Sequence, residues 1–228
     1  MHDFNHFAEH TLQEIALVIM AIVYIIRLIW LFRFKAGKER QAGTGLGDTT
    51  KRKGIIYSWF NIANPTAMES TRTKFFLYIQ FVVFHLGVVA AISQSFILPY
   101  APRLLQAGSF LAAIFQIIIG AACLVGIMRI NRRTTDKYVR ALSSPDDHFS
   151  LLLLTTWFAS AFLTVPGNII MNVEWTRLAY FLLTAFFLIY VPFSKISHYL
   201  YYPITRYYFG KTMGHRGVYP IRRVGAEK

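Results

Sequence analysis

The length of the apolar segments constrains this chain more than any other feature of its sequence. A membrane-spanning helix needs about 20 apolar residues, whereas a strand of a membrane barrel needs only about 10. The chain is 55% hydrophobic and 15% charged, compared with about 45–50% and about 25% in soluble domains. The sequence therefore predicts an all-α integral membrane bundle that forms a single membrane domain over residues 1–228. Its five transmembrane helices are predicted at about 13–34, 75–98, 107–129, 149–169 and 177–202.

Basic residues are distributed unevenly between the segments that connect these helices. Lysine and arginine are frequent in 35–74, in 203–228 and in the connection before the fourth helix. The alternate connections carry only Arg103 and Arg177. Because cytoplasmic loops of membrane proteins are enriched in Lys and Arg, we predict an outer N-terminus and a cytoplasmic C-terminus. In this topology 35–74 is a cytoplasmic loop and 203–228 a cytoplasmic tail.

Charge and cysteine content narrow the possible functions. The net charge of +13 does not indicate a nucleic-acid partner, because the basic residues lie between apolar segments, as they do in membrane loops. The segment 41–54 is rich in Gly, Thr and charge, which is typical of a flexible connection. The single cysteine, Cys123, excludes an intrachain disulfide or a cysteine-ligated iron–sulfur cluster. Any redox chemistry therefore requires a cofactor that other side chains bind.

Two histidines lie inside the predicted helices, where ionisable side chains are costly and indicate function. His85 lies in the second helix, about 15 Å from its inner end at a rise of about 1.5 Å per residue. His198 lies near the inner end of the fifth helix if that helix continues to Pro203. The pair fits either axial ligation of one haem b or separate hydrogen bonds to neighbouring helices. Gly87 would ease the approach of a flat macrocycle.

Two further ionisable side chains fit a role at a cofactor or a quinone. Arg27 lies in the inner half of the first helix. There it fits either pairing with a haem propionate or quinone carbonyl, or extension of its side chain to the membrane surface. His148 follows Asp146 and Asp147 at the predicted start of the fourth helix, where acidic residues suit the helix dipole. His148 fits a proton-coupled quinone site as well as an ordinary surface position.

Two short motifs carry a resemblance to a known family of membrane proteins. The first is FHLG at 84–87, in the second of five predicted helices. The second is PFSK at 192–195, followed by His198, at the cytoplasmic end of the predicted fifth helix. Together they resemble the membrane cytochrome b family that includes the gamma subunit of respiratory nitrate reductase. The resemblance extends over most of residues 12–205. Within this family the chain looks most like the small cytochrome-b-type membrane subunits of redox complexes in sulfate-reducing bacteria, such as the high-molecular-weight cytochrome c complex.

The resemblance implies one haem b on the cytoplasmic side, with His85 and His198 as its axial ligands. Many members of the family hold a second haem nearer the outer side. Its ligands would correspond to Ser95 and Tyr180 here. Serine and tyrosine are not the usual ligands of a membrane haem b, so we expect a single haem per chain. If a second haem were found, His10 would be the first outer ligand to examine.

The resemblance also implies a function and a set of partners. Haem b would carry electrons between the membrane quinone pool, expected to be menaquinone, and a cytoplasmic iron–sulfur subunit that is heterodisulfide-reductase-like. Other integral membrane subunits and an outer multihaem cytochrome c would complete a complex of anaerobic respiration. The expected location is the cytoplasmic membrane of a bacterium or archaeon. The sequence contains no nucleophile–base constellation, so we expect it to be non-catalytic outside such a quinone-linked oxidoreductase complex.

Two other functions fit the same sequence. A haem-free structural anchor for a peripheral redox enzyme needs only the helices and the basic loops, with the two histidines as polar contacts. A small transporter fits less well, since the sequence has no internal repeat and no two helices broken at matching positions. A haem absorption spectrum separates electron transfer from both alternatives.

Overall fold

The computed structural model describes residues 2–34, 37, 39–43, 49–64, 69–167 and 174–221. Parts of the predicted loop and tail and the end of the predicted fourth helix lie outside the described residues. The described residues form helices and contain no strand, so the prediction of an all-α fold is confirmed for them. The α-helices are α1 His2–Glu9, α2 Thr11–Arg33, α3 Lys51–Phe60, α4 Glu69–Thr73, α5 Phe75–Tyr100, α6 Phe110–Thr135, α7 Lys137–Leu142, α8 Pro145–Thr164, α9 Glu174–Tyr190 and α10 His198–His215. Short 3-10 turns cover Asn61–Ala63, Pro102–Leu105, Val191–Phe193 and Lys195–Ser197.

Several helices of the described chain suit a lipid environment. Large apolar side chains on α2 are more than half exposed, among them Ile22, Ile25 and Ile26. Such an extended apolar surface suits lipid rather than water. These findings indicate a multi-pass membrane protein. Among the described residues, four helical stretches are long and apolar enough to cross a membrane: Phe4–Arg33, Phe75–Tyr100, Phe110–Thr135 and Glu174–Phe193.

The predicted fourth membrane helix, 149–169, forms α8 but is not among these four stretches. The first turn of α8 contains Asp146 and Asp147, which lower its mean hydropathy. The helix ends at Thr164, shortly before Pro166, a residue that has no N–H to continue the helical hydrogen bonds.

The described residues form two compact units. The first contains the described parts of Met1–Trp30 and Ile79–Ile196, and the second those of Leu31–Tyr78 and Ser197–Lys228. The single membrane domain expected over residues 1–228 stays a prediction.

Helix α8 is the central element of the first unit, where it packs against both α6 and α9. Its side chains Trp157 and Phe158 are fully buried. Trp157 Nε1 donates a hydrogen bond to Thr184 Oγ1 on α9 (2.8 Å), and the indole stacks on the Phe187 ring with centroids 4.8 Å apart. Helix α2 packs on α9 through small and aliphatic side chains that include Ala16. Because its neighbours cover α8, this helix needs fewer apolar side chains than a lipid-facing helix does.

In the second unit, α3 packs closely against α10. The helices meet at Gly54 on α3 and at Gly210 and Gly214 on α10. Small residues let two helix backbones approach each other closely. Arg206 Nε adds a hydrogen bond to the Ser58 carbonyl oxygen (3.0 Å).

The two basic segments contain helix where the sequence predicts a loop and a tail. Helix α3 begins at Lys51, inside the segment 41–54 for which composition predicts a flexible connection. The hydroxyl of Thr50 caps this helix by accepting a backbone hydrogen bond in its first turn (3.2 Å). The predicted tail, 203–228, is helical as far as His215. The prediction of a flexible connection is therefore wrong for residues 51–54. The cytoplasmic location of 35–74 and 203–228 stays a prediction.

The predicted extent of the fifth helix, 177–202, is also wrong. Helix α9 ends at Tyr190, and a separate helix begins at His198. Pro192 lies in the intervening turn, where it has no N–H to continue the helical hydrogen bonds. Ser194 then has an extended backbone, with φ −104° and ψ 171°. The aromatic and basic residues that follow belong to α10.

Candidate functional site

His85 lies on α5, and its imidazole is oriented by its own helix. Nδ1 is 2.7 Å from the carbonyl oxygen of Phe81, one helical turn earlier. A carbonyl oxygen only accepts hydrogen bonds, so Nδ1 is the donor, and in a neutral imidazole Nε2 then carries the lone pair. Histidines that ligate metals commonly donate their other ring N–H to a carbonyl in this way. The chemistry of this donor therefore fits an axial ligand of haem iron.

Gly87 serves helix packing. A Cβ atom at this position would lie 2.1 Å from the Cβ of Ala122 on α6 and 3.5 Å from the Phe158 ring on α8. Glycine therefore permits α5 to approach α6 closely. The prediction that Gly87 admits a flat macrocycle is wrong, because protein atoms occupy the space that its missing side chain leaves.

His198 is the first residue of α10, and its side chain is exposed. It belongs to the second unit, whereas His85 belongs to the first. The pairing of these histidines as axial ligands therefore stays a prediction. The depth predicted for His198 assumes a continuous fifth helix, and that assumption is wrong because α9 ends at Tyr190.

The PFSK motif at 192–195 is anchored by an ion pair. Lys195 Nζ lies 3.0 Å from Asp147 Oδ1 and 2.9 Å from Ser144 Oγ. Ser144 and Asp147 form the capping box that begins α8. The backbone N–H of Ser144 also donates a hydrogen bond to Asp147 Oδ2 (2.8 Å). Lys195 thus connects the end of the motif to the start of α8.

Arg27 contacts the same motif. Its Cζ atom is 5.4 Å from the ring centroid of Phe193, which is a cation–π contact. No carboxylate in the described ranges forms an ion pair with Arg27. The aromatic contact is sufficient to position the guanidinium, and the role of Arg27 at a propionate or a quinone stays a prediction.

His148 lies half-buried in the first turn of α8, next to a group of hydrogen-bonded polar side chains. The Tyr190 hydroxyl donates to Asp146 Oδ1 at 2.6 Å and lies 3.0 Å from Ser150 Oγ. These bonds connect the start of α8 with the end of α9. A proton-coupled quinone site needs polar groups of this kind, and the part that His148 takes in one stays a prediction.

Tyr180 and Ser95, the positions that the motif resemblance associates with outer haem ligands, are part of the packed interior. Tyr180 is fully buried, and its hydroxyl donates to the Ala91 carbonyl oxygen at 2.5 Å. Ser95 is also buried and donates to a carbonyl of its own helix at 2.7 Å. The ring of His10, the alternative outer ligand, lies 5.3 Å from the Tyr100 ring.

The structure adds one charged residue, Arg129, to which the sequence-based predictions assign no role. Arg129 lies half-buried on α6, with its Cζ atom 4.9 Å from the ring centroid of Phe84. Phe84 directly precedes His85. In the sequence Arg129 is the last residue of an apolar segment, close to Arg132, and thus resembles part of the basic loop. The contact of Arg129 with Phe84 depends on how α6 packs against α5, so no short stretch of sequence indicates it.

No family model, curated protein or solved structure matches the chain. Its function is therefore inferred from its own residues. The most informative of them is the oriented imidazole of His85 on a helix of membrane-spanning length.

Proposed function

We propose that this chain is a haem b-binding membrane subunit of a respiratory redox complex. It carries electrons between the membrane quinone pool, with menaquinone as substrate, and a cytoplasmic iron–sulfur partner. The observation that supports this most directly is the Nδ1 hydrogen bond of His85 to Phe81, which orients the ring so that Nε2 would be the nitrogen that binds iron. From the resemblance of the two motifs, His198 would be the second residue that holds this haem b, on the cytoplasmic side. The haem supplies a one-electron carrier, and the protein orients and tunes it.

The packing of the first unit supports one haem rather than two. Tyr180 and Ser95 stand at the positions of the outer ligands, and both use their hydroxyls within the protein. The rings of Trp157 and Phe181 are fully buried in the same unit. Arg27 and His148 are the candidates for contact with the quinone.

We infer five membrane crossings, with α8 as the fourth. The helix has 20 residues, or about 30 Å, which matches the hydrocarbon core. Its burial between other helices accounts for its lower hydropathy. Five crossings place the two termini on opposite sides of the membrane. The basic residues of 35–74 and 203–228 then favour an outer N-terminus and a cytoplasmic C-terminus.

Cysteine labelling tests this topology. In a Cys123→Ser background we expect Arg103→Cys to react with an impermeant maleimide in intact cells, and Lys211→Cys to react only after lysis. Both original side chains are exposed in the structure. If both cysteines react in intact cells, α8 does not cross. If Lys211→Cys reacts in intact cells and Arg103→Cys reacts only after lysis, the protein has the opposite orientation.

The second unit is the proposed docking surface for the iron–sulfur partner. Lys51, Arg52 and Lys53 are exposed on α3, as is Lys211 on α10. Complementary charge would favour a specific encounter with an acidic partner surface. Other integral membrane subunits and an outer multihaem cytochrome c complete the complex in a bacterial or archaeal cytoplasmic membrane.

A dithionite-reduced minus oxidised spectrum of the purified chain, with its partners where they copurify, tests the function. We expect a low-spin b-type signal at one haem per chain. His85→Ala and His198→Ala should each abolish it, because each removes one axial nitrogen. His215→Ala is the matched control, since it removes another histidine of α10 and should leave the signal unchanged.

Two results would contradict this proposal. Two b haems per chain would contradict the single site, and His10→Ala would then identify the outer ligand. The absence of haem from a folded and fully assembled preparation would favour a haem-free structural anchor for a peripheral redox enzyme.

A further inference from the structure

Arg129 and His85 are connected through one aromatic ring. Arg129 lies half-buried on α6, a helix long and apolar enough to cross a membrane. Its Cζ atom is 4.9 Å from the centroid of the Phe84 ring. The centroids of the Phe84 and His85 rings are 6.5 Å apart. The guanidinium therefore lies in the neighbourhood of the candidate haem ligand.

The charge of Arg129 has no partner of opposite sign in the described part of the chain. The neighbouring Arg132 and Arg133 on α6 are cations as well. Placing a charged group in a membrane helix costs free energy unless the group is paired with an opposite charge. The position of Arg129 therefore favours the binding of an anion from outside the described residues. The ion pairs of the described residues are Arg177–Glu9, Lys195–Asp147 and Arg216–Glu39.

The guanidinium is suited to a carboxylate. A guanidinium over an aromatic face keeps N–H groups at its edge, and its planar fork can donate two parallel hydrogen bonds to one carboxylate. Haem b carries two carboxylates, its propionates, at one edge of the macrocycle. A haem ligated by His85 would thus bring an anion into the region of Arg129.

We propose that Arg129 binds a propionate carboxylate of the haem that His85 ligates. This inference rests on the proposed function and adds a cofactor-binding residue on a third helix. Two other assignments compete with it. In the first, the Arg129 side chain extends to the membrane surface. In the second, it pairs with a phospholipid phosphate. In neither would the charge of Arg129 change the reduction potential of the haem.

Removing the charge of Arg129 should make the haem harder to reduce. Reduction adds one electron to the ferric haem, and a cation on the propionate stabilises the product. We expect Arg129→Gln to lower the reduction equilibrium constant about tenfold, which is 59 mV for one electron. Arg129→Lys keeps the charge but loses the planar fork, so its potential should fall by less. Arg132→Gln removes an exposed cation of the same helix and is the matched control.

A redox titration of the purified full chain, with haem quantified in every variant, tests this assignment. A lower potential in Arg129→Gln at full haem content, with Arg132→Gln at the wild-type potential, would support it. An unchanged potential in Arg129→Gln, or an equal shift in Arg132→Gln, would overturn it and leave the proposed function intact. Loss of copurifying phospholipid at an unchanged potential would assign Arg129 to a lipid headgroup instead.

Two further outcomes are also decisive. If Arg129→Gln does not accumulate in folded form, the potential of Arg129→Lys decides, and a value equal to that of the wild type overturns the assignment. A wild-type chain that is folded and fully assembled but holds no haem would overturn both this assignment and the proposed function.

Discussion

Trp157→Ala is expected to lower the free energy of unfolding by about 3–5 kcal/mol, the usual cost of truncating a buried tryptophan. The indole is fully buried between helices, stacks on Phe187 and donates a hydrogen bond to Thr184. Truncation removes these contacts and leaves a cavity that the packed helices can close only in part. Unfolding of the detergent-solubilised chain, followed by circular dichroism, measures the loss.

Leu152→Ala is the matched control for this prediction. Leu152 lies on the same helix, α8, but its side chain is 57% exposed. We expect its replacement to change the free energy of unfolding by no more than about 0.5 kcal/mol. Equal losses in the two variants would contradict the central position of α8 in the first unit.

Gly54→Ala is expected to destabilise the pair of helices α3 and α10 by about 1–3 kcal/mol, the usual cost of overpacking. A Cβ atom at this position would lie 2.3 Å from the Gly210 carbonyl oxygen and 2.6 Å from the Gly214 Cα atom. Both contacts are with backbone, so the helices must move apart to admit the methyl group. Hydrogen exchange of the backbone amides of α3 should become faster, because exchange reports local opening.

Gly37→Ala is the control for this second prediction, since a Cβ atom there would meet nothing within 4 Å. We expect exchange in α3 to be unchanged in that variant. Unchanged exchange in Gly54→Ala as well would contradict the close contact between α3 and α10.

The helices long and apolar enough to cross a membrane are the part of the fold that the sequence predicts best. Helices α2, α5 and α6 lie at predicted apolar segments because the length of such a segment is a local property of the chain. Helix α3 is missed because the segment KRKGIIYSWF at 51–60 begins with three cations and contains a glycine, which together resemble a loop. The end of α9 is missed because the apolar composition continues beyond Tyr190, although Pro192 interrupts the helix.

The candidate site likewise has some features that the sequence predicts and others that only the folded structure shows. His85 is recognisable from the sequence because an imidazole inside an apolar segment is costly and rare. The nitrogen that carries its proton, the contact of Arg129 with Phe84 and the ion pair of Lys195 with Asp147 depend on atoms brought together by folding. The assignment of Gly87 to a cofactor fails for the same reason, since its neighbour on α6 is distant in the sequence.

By itself, the sequence determined that this protein is helical and suited to a membrane, since hydrophobic length and composition need no knowledge of neighbouring helices. It also identified which charged side chains are unusual in that setting. Only the tertiary structure decided which helix is central, where two helices meet at glycines and which polar groups bond to each other. The physical reason is that packing and hydrogen bonding join atoms that are far apart in the chain, whereas the hydropathy of a segment depends only on its own consecutive residues.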